Sequence, residues 1–213
     1  MNSNLVSLWN ANFDQGISTL VIPDGCRDLI VKTVGNEKTD WFVSPLFDTA
    51  ESIQVEARCS YVGFRLSPGT GIRERELLTY IETKRLEAGE VKHIIGDFIT
   101  FEYSVQEALE GLASELGTVK QVSVQLGVSV RTLQRLIFNK TNRTPGYWLQ
   151  LARIRKAAKS LSHDVNLADV AENYGFSDQS HMNREFQRWF RLTPVQLLNT
   201  PNVIRQLYDQ GYG

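Results

Sequence analysis

The chain has 213 residues, room for one large domain or two small ones, and its 42% apolar and 10% aromatic content excludes a disordered polymer. Two cysteines, Cys26 and Cys59, are too few for a disulfide scaffold or a four-thiolate zinc site, and no apolar run reaches the length of a membrane span. With 23 Lys+Arg against 24 Asp+Glu the formal charge is −1, which as a single figure counts against a nucleic-acid partner. The start, Met1-Asn2-Ser3-Asn4, lacks the basic and apolar stretches of a signal peptide, so the expectation is a cytoplasmic chain with both thiols reduced.

The first 70 residues read as β-rich. Runs at 17–22, 28–34, 41–43, 53–55 and 61–66 are short and rich in β-branched or aromatic residues. Pro23-Asp24-Gly25 is a turn, with Pro fixing φ and Gly permitting φ > 0, and 67–71 is a loop by composition. Five or six short strands with tight turns suggest a small antiparallel sandwich or barrel. From Glu74 the period lengthens: Leu77, Leu78 and Ile81 form a helical stripe, and 93–101 is ambiguous between helix and packed loop.

Beyond residue 103 the pattern is helical. Ser104-Val105-Gln106-Glu107 reads as a capping box, followed by Ala108, Leu109, Leu112, Ala113 and Leu116 on one face and Gly117 as a stop. Thr118, with Gln121 at the box position, opens a short helix at 119–126 that Gly127 ends, and Ser129 caps a third with Val130, Leu133, Leu136 and Ile137 as its core side. Small Ser123 at the crossing, Gly127 four later and Leu133 six after that is the spacing of a helix-turn-helix. Arg131, Gln134 and Arg135 share the outward face, and their forked or amide ends suit guanine and adenine edges in a major groove. The arrangement recurs about fifty residues on. Asn166 caps 167–174, Ala171 is the small residue, Gly175 follows four later, and Asp178 caps a helix burying Met182, Phe186, Trp189 and Phe190. Between the units Thr144 and Pro145 open a helix over 145–161, with Leu149, Ile154, Ala157, Ala158 and Leu161 apolar and Arg153, Arg155, Lys156 and Lys159 basic. At ~1.5 Å per residue that rod is roughly 25 Å long, enough to hold two reading helices about one DNA turn apart.

Charge divides with texture. Residues 1–116 hold 10 Lys/Arg and 18 Asp/Glu, a net −8, while 117–213 hold 13 and 6, a net +7. Such asymmetry suggests two domains with different partners, and the near-neutral total is a cancellation.

Residues 104–198 resemble the AraC/XylS transcription-regulator DNA-binding domain, in which a long helix joins two helix-turn-helix units. The resemblance is carried by Ala171-Glu172-Asn173-Tyr174-Gly175-Phe176-Ser177-Asp178 through Phe186, Phe190 and Leu192-Thr193-Pro194, and by Val128-Ser129-Val130-Arg131-Thr132-Leu133-Gln134-Arg135. Arg191-Leu192 stands where glycine is common, and Ile137 where an aromatic is. The resemblance implies base contacts by Arg131, Gln134, Arg135, Gln179, Ser180, His181, Asn183 and Arg184. Lys120, Ser129, Thr132, Lys140, Gln187, Arg188 and Arg191 are candidates for phosphate contacts, which fix register without reading sequence. Residues 20–31 with 63–69 look like a β-rich sensor domain found ahead of some AraC-type domains. That implies a cupin-like effector module and helices used for dimerisation.

Other chemistry fits poorly. AraC-type domains occur fused to alkyl-accepting repair proteins, but the zinc tetrad and the Pro-Cys-His acceptor setting are missing here. Cys26 and Cys59 read as buried core thiols. His93, His163 and His181 have no ligand spacing, and neither a phosphate loop nor a nucleophile elbow is present. Trp148 and Trp189 read as core, while Trp9, Trp41 and Tyr61 are candidates to line a sensor pocket.

The expected architecture is α+β: a small β-rich domain, cupin-like or sandwich, at 1–72, a helical connector with a role in dimerisation at 73–103, and an all-α double helix-turn-helix domain at 104–213. The expected function is a sequence-specific DNA-binding transcriptional regulator, without catalytic residues, metal or cofactor. Its partners are double-stranded DNA, RNA polymerase, a small-molecule effector of unknown site, and a second copy, with no membrane. The alternative is a protein-interaction or sensor module whose DNA domain is weak or silent.

Overall fold

Alternating and β-branched stretches build a sheet first. The computed structural model describes residues 5–35, 38–114 and 118–213. The expected closing residues Leu116 and Gly117, and the stretch Met1–Asn4, lie outside the described residues. Strands β1 (Leu5–Phe13), β2 (Ile17–Val21), β3 (Arg27–Val34), β4 (Lys38–Val43), β5 (Glu51–Val55) and β6 (Cys59–Leu66) form two antiparallel sheets, β1-β6-β3-β4 and β2-β5. Five of these were expected. β1 was not, because Asn10 and Asn12 are poor strand formers and its support is the distant β6.

Directly opposed residues share a face, so Leu29 aligns with Val43 on one side and Phe64 on the other. After the two-residue strand β7 (Gly71–Ile72), that face is covered by α1 (Glu74–Lys84), α2 (Ala88–Ile94) and the 3-10 turn Ile95–Phe98, through Leu77, Ile81, Val91 and Ile95. The ambiguous stretch after His93 thus resolves into a helix end, this turn and β8 (Ile99–Thr100), which pairs with β7. On the opposite face Gly63 gives Trp9 room: an added Cβ would sit 2.0 Å from the indole. Trp9, Trp41 and Tyr61 do not share a pocket. Trp41 stacks on Phe64 on the covered face, whereas the register turns Trp9 and Tyr61 to the other.

The helical region comprises α3 (Tyr103–Ala113), α4 (Val119–Gln125), α5 (Val130–Thr141), α6 (Pro145–Lys159), α7 (Leu167–Asn173), α8 (Gln179–Phe190), α9 (Pro194–Leu198) and α10 (Pro201–Tyr208). The expected capping box at Ser104 is absent. β8 ends at Thr100 and the chain turns at once, so the cap falls at Glu102, whose carbonyl accepts from the N–H groups of Val105 and Gln106. Thr144 and Pro145 open α6 as expected, and the helix ends at Lys159. It is a poor candidate for a solvated basic rod. Arg155 is fully buried, Lys156 donates to the Ala113 carbonyl at 2.5 Å, and Lys159 donates to that of Gly213 at 2.6 Å.

The Pro23-Asp24-Gly25 turn explains why Arg155 is inside. The turn enters the helical core: the Pro23 carbonyl accepts from Arg155 at 3.2 Å, and the Asp24 carbonyl accepts from the Tyr212 N–H at 2.8 Å. Ile22 is buried among the helical core residues, and its N–H donates to Gln206. Burial pushes the Asp24 carboxyl up, while Arg65, 2.9 Å away, pulls it back down. Arg65 also forks onto Asp28. Burial likewise raises the Cys26 thiol, and both cysteines are buried and free. A second contact runs from Arg143, forked onto Asp48 at 2.6 and 2.9 Å, to the Ala50 N–H, which donates to the Trp189 carbonyl at 2.8 Å.

Gly25 has φ +75°, and an added Cβ would lie 2.7 Å from Tyr212 and 2.9 Å from Trp148. Gly25→Ala therefore combines backbone strain with overpacking and is expected to cost about 2–4 kcal/mol in urea unfolding of the full chain. An unchanged midpoint would contradict the docking of this turn.

Candidate nucleic-acid interface

Each candidate reading helix is started by a local cap and preceded by a glycine turn. In the first unit Thr118 and Gln121 form a reciprocal capping box, with bonds of 3.1 and 3.0 Å. Ser123 is buried, and its carbonyl accepts from the Val128 N–H across the turn at Gly127, whose φ is +64°. Ser129 caps α5 through the Thr132 N–H at 3.1 Å, and the two hydroxyls lie 2.9 Å apart, so one of these two candidate phosphate donors has its proton spent on the other. Leu133 and Ile137 are buried and Leu136 is half-buried. Val130, expected in the core, is exposed; it occupies the first helical position, on the rim beside exposed Val128.

The outward face of α5 presents Arg131, Gln134 and Arg135, all exposed and, among the described residues, without an ion pair or hydrogen bond from their side chains. Phe138, 51% exposed, continues that stripe. It escaped the sequence reading, although its spacing, seven after Arg131 and three after Arg135, puts it on the same face.

The second unit repeats the design. Asn166 caps α7 through Ala168 at 2.9 Å, and Gly175 makes the turn at φ +70°. Asp178 caps α8 through the His181 N–H at 2.6 Å. Met182, Phe186, Trp189 and Phe190 are buried as expected, and the core they join is shared with α5 and α6. Gln179, Ser180 and Arg184 are exposed, and Arg184 has no ion-pair partner among the described residues. Two of the candidates stand apart. His181 Nδ1 accepts from the Ser177 N–H at 3.2 Å and its ring meets Phe176 edge-on, so one nitrogen is spent on the turn. Asn183 is half-buried on the flank, with a buried Oδ1 that has no partner.

The candidate phosphate contacts differ in availability. Lys120 is exposed without an ion pair among the described residues. Lys140 pairs with Glu102, and Arg191 with Glu51 at 3.0 Å. Arg188 lies over Trp189 and 3.6 Å from Glu185, and Gln187 is 3.4 Å from Gln196. A cleft of about 290 Å³ lies where Arg27, Ser67, Thr70 and Ile72 face Asn139–Asn142 at the end of α5. No group of three or more metal-ligating side chains occurs among the described residues.

Residues 122–200 match the family described as a helix-turn-helix domain. The chain is similar to the transcriptional activator RhaS of Escherichia coli O1:K1, at 34% identity over 106 residues, 43% of this chain and 38% of that protein. The chain thus spans well under half the length of the curated relatives it matches. It is also similar to the DNA-binding domain of AdpA, solved in complex with a target DNA, at 26% identity, covering 47% of this chain and 91% of that one, with a TM-score of 0.38. A third likeness, to ToxT from Vibrio cholerae, is 10% identical, covers 91% of this chain and 97% of that one, and has a TM-score of 0.46.

Because the Asp178 carboxylate satisfies an otherwise orphaned N–H, Asp178→Ala is expected to cost about 0.5–2 kcal/mol of stability by thermal or urea unfolding. No loss would mean that α8 is not held by its cap.

Proposed function

We propose that this chain is a member of the AraC/XylS family through its carboxy-terminal helix-turn-helix domain, and that it is a sequence-specific transcriptional regulator of double-stranded DNA. The observation that carries the proposal is the pairing of two capped helices on one core, each with an exposed Arg and Gln face free of internal partners. Arg131, Gln134 and Arg135 read one major groove, and Gln179, Ser180 and Arg184 read the next, with His181 and Asn183 at the margin. Lys120, Ser129, Thr132, Lys140, Gln187, Arg188 and Arg191 fix the register on phosphates. In this reading the region 104–213 is the DNA-binding domain, 1–72 senses a small-molecule effector or mediates self-association, and 73–103 connects them. RNA polymerase and the cytoplasm complete the proposed setting. No helix among the described residues is long and apolar enough to cross a membrane.

Duplex recovered by selection with the full chain tests this directly. Affinity should fall steeply with salt as phosphate contacts displace counterions. Arg135→Ala and Arg184→Ala should each cost about 1–3 kcal/mol on the selected duplex and much less on random duplex. A flat salt response, or equal losses on both duplexes, contradicts base reading.

Carboxylates of the acidic half hold Arg143, Lys140 and Arg191 of the basic one, and two of these pairs, Glu51 with Arg191 and Glu102 with Lys140, engage candidate phosphate contacts. DNA phosphates compete for these cations. Glu51→Gln is therefore expected to tighten low-salt duplex binding, by no more than about fivefold for an exposed pair. Unchanged or weaker binding would show that Arg191 does not meet phosphate.

A further inference from the structure

The first thirteen residues, Met1 to Phe13, contain no charged residue, although the half of the chain they open has a net charge of −8. Nine of these residues form β1, an outer strand of the four-stranded sheet. One side of β1 is paired with β6 from end to end apart from a bulge between Leu5 and Ser7. On its other side, among the described residues, no backbone hydrogen bond reaches it. A free edge of this length is a template for another strand, and folded proteins usually guard such edges with charge, proline or a covering element. Two of the other edges are guarded. β4 carries Lys38 and Asp40, and Gln206 of α10 bonds the chain at the end of β2 through Leu20 and Ile22. β1 has no charge, proline or glycine, and Leu8 at its middle is 53% exposed.

We propose that β1 pairs antiparallel with β1 of a second copy of this chain, about a two-fold axis at Asn10, joining two four-stranded sheets into one. A two-fold interface must be self-complementary, and antiparallel pairing of identical edges satisfies that for the backbone groups automatically. The side chains fit the same register. With Asn10 opposite Asn10, Trp9 meets Ala11 and Phe13 meets Ser7, large against small, on the face where Gly63 already makes room for Trp9. On the other face Leu8 meets Asn12, both exposed. No like charges are brought together, which matters for two halves that each carry −8. The connector suits this role less well: its buried residues Leu77, Ile81, Val91 and Ile95 are spent on covering the sheet. The pairing does not rest on the DNA reading, and each stands or falls by its own experiment.

Sedimentation velocity of the full chain over a micromolar dilution series should show a reversible dimer. Leu8→Lys with Asn10→Lys places charge at the junction on exposed side chains and should give a monomer with an unchanged circular dichroism spectrum and melting temperature. A wild-type monomer throughout the series, or a dimer that survives both lysines, overturns the proposal. A second measurement covers misfolding of that variant. Asn10→Cys should cross-link covalently with a short bifunctional thiol reagent, whereas Thr39→Cys on the guarded β4 edge should not, the native Cys26 and Cys59 being buried. No cross-link at position 10, or equal cross-linking at both positions, overturns it as well.

Discussion

Arg155 has no exposed surface, and its guanidinium donates to two main-chain carbonyls, Pro23 near the start of the chain and Leu207 near its end. A charge this deep is tolerable only while its donors are occupied, and its Nε already lacks a partner. Helix α6 is thereby tied to the Pro23-Asp24-Gly25 turn on one side and to α10 on the other. Trp148, Leu151, Ile154 and Ala157 of the same helix are buried in the core that receives Leu133 and Ile137 of α5 and Met182, Phe186 and Phe190 of α8. The orientation of both reading faces depends on a helix whose own position depends on the amino-terminal region. The helical region is consequently not a free module. Removing the β-rich part would strip Ile22 and Ala50 from its core and leave Arg155 with an open donor.

That arrangement sorts the cations of the basic half by where they are satisfied. Arg155, Lys156 and Lys159 donate to carbonyls inside the fold, and Arg143, Lys140 and Arg191 meet carboxylates of the acidic half. Arg131, Arg135, Arg184 and Lys120 are left facing solvent without ion pairs among the described residues. The net +7 of the carboxy-terminal half is therefore a poor guide to its field. Of the six cations of this half with neither an ion pair nor a side-chain hydrogen bond among the described residues, Arg131, Arg135 and Arg184 lie on the two candidate reading helices, and the others are Lys120, Arg153 and Arg205.

Short-range features were legible in the sequence because their causes are short-range. Thr118 with Gln121, Ser129, Asn166, Asp178, Gly127 and Gly175 each satisfy a bond or a backbone angle within four residues, and all act as the pattern implied. Features decided by distant partners were not legible. β1 is a strand because β6 lies beside it, despite two asparagines. Ser104 loses its capping role because β8 delivers the chain into α3 two residues early. Asp24 and Gly25 were recognisable as a turn, but nothing local shows that the turn would plug into a helix 130 residues away. In the candidate site, the outward Arg and Gln residues could be read from helical spacing. The diversion of His181 to Ser177 and of Arg191 to Glu51 required the fold.

Two separate helices on a common support are proposed to read two grooves of one duplex. Base-removal interference on the selected operator, bound by the full chain, measures this most directly. Two clusters of essential bases are expected on one face of the duplex, centred about ten base pairs apart. Arg135→Ala should erase only one cluster and Arg184→Ala only the other. A single cluster, or both substitutions erasing the same bases, would contradict it.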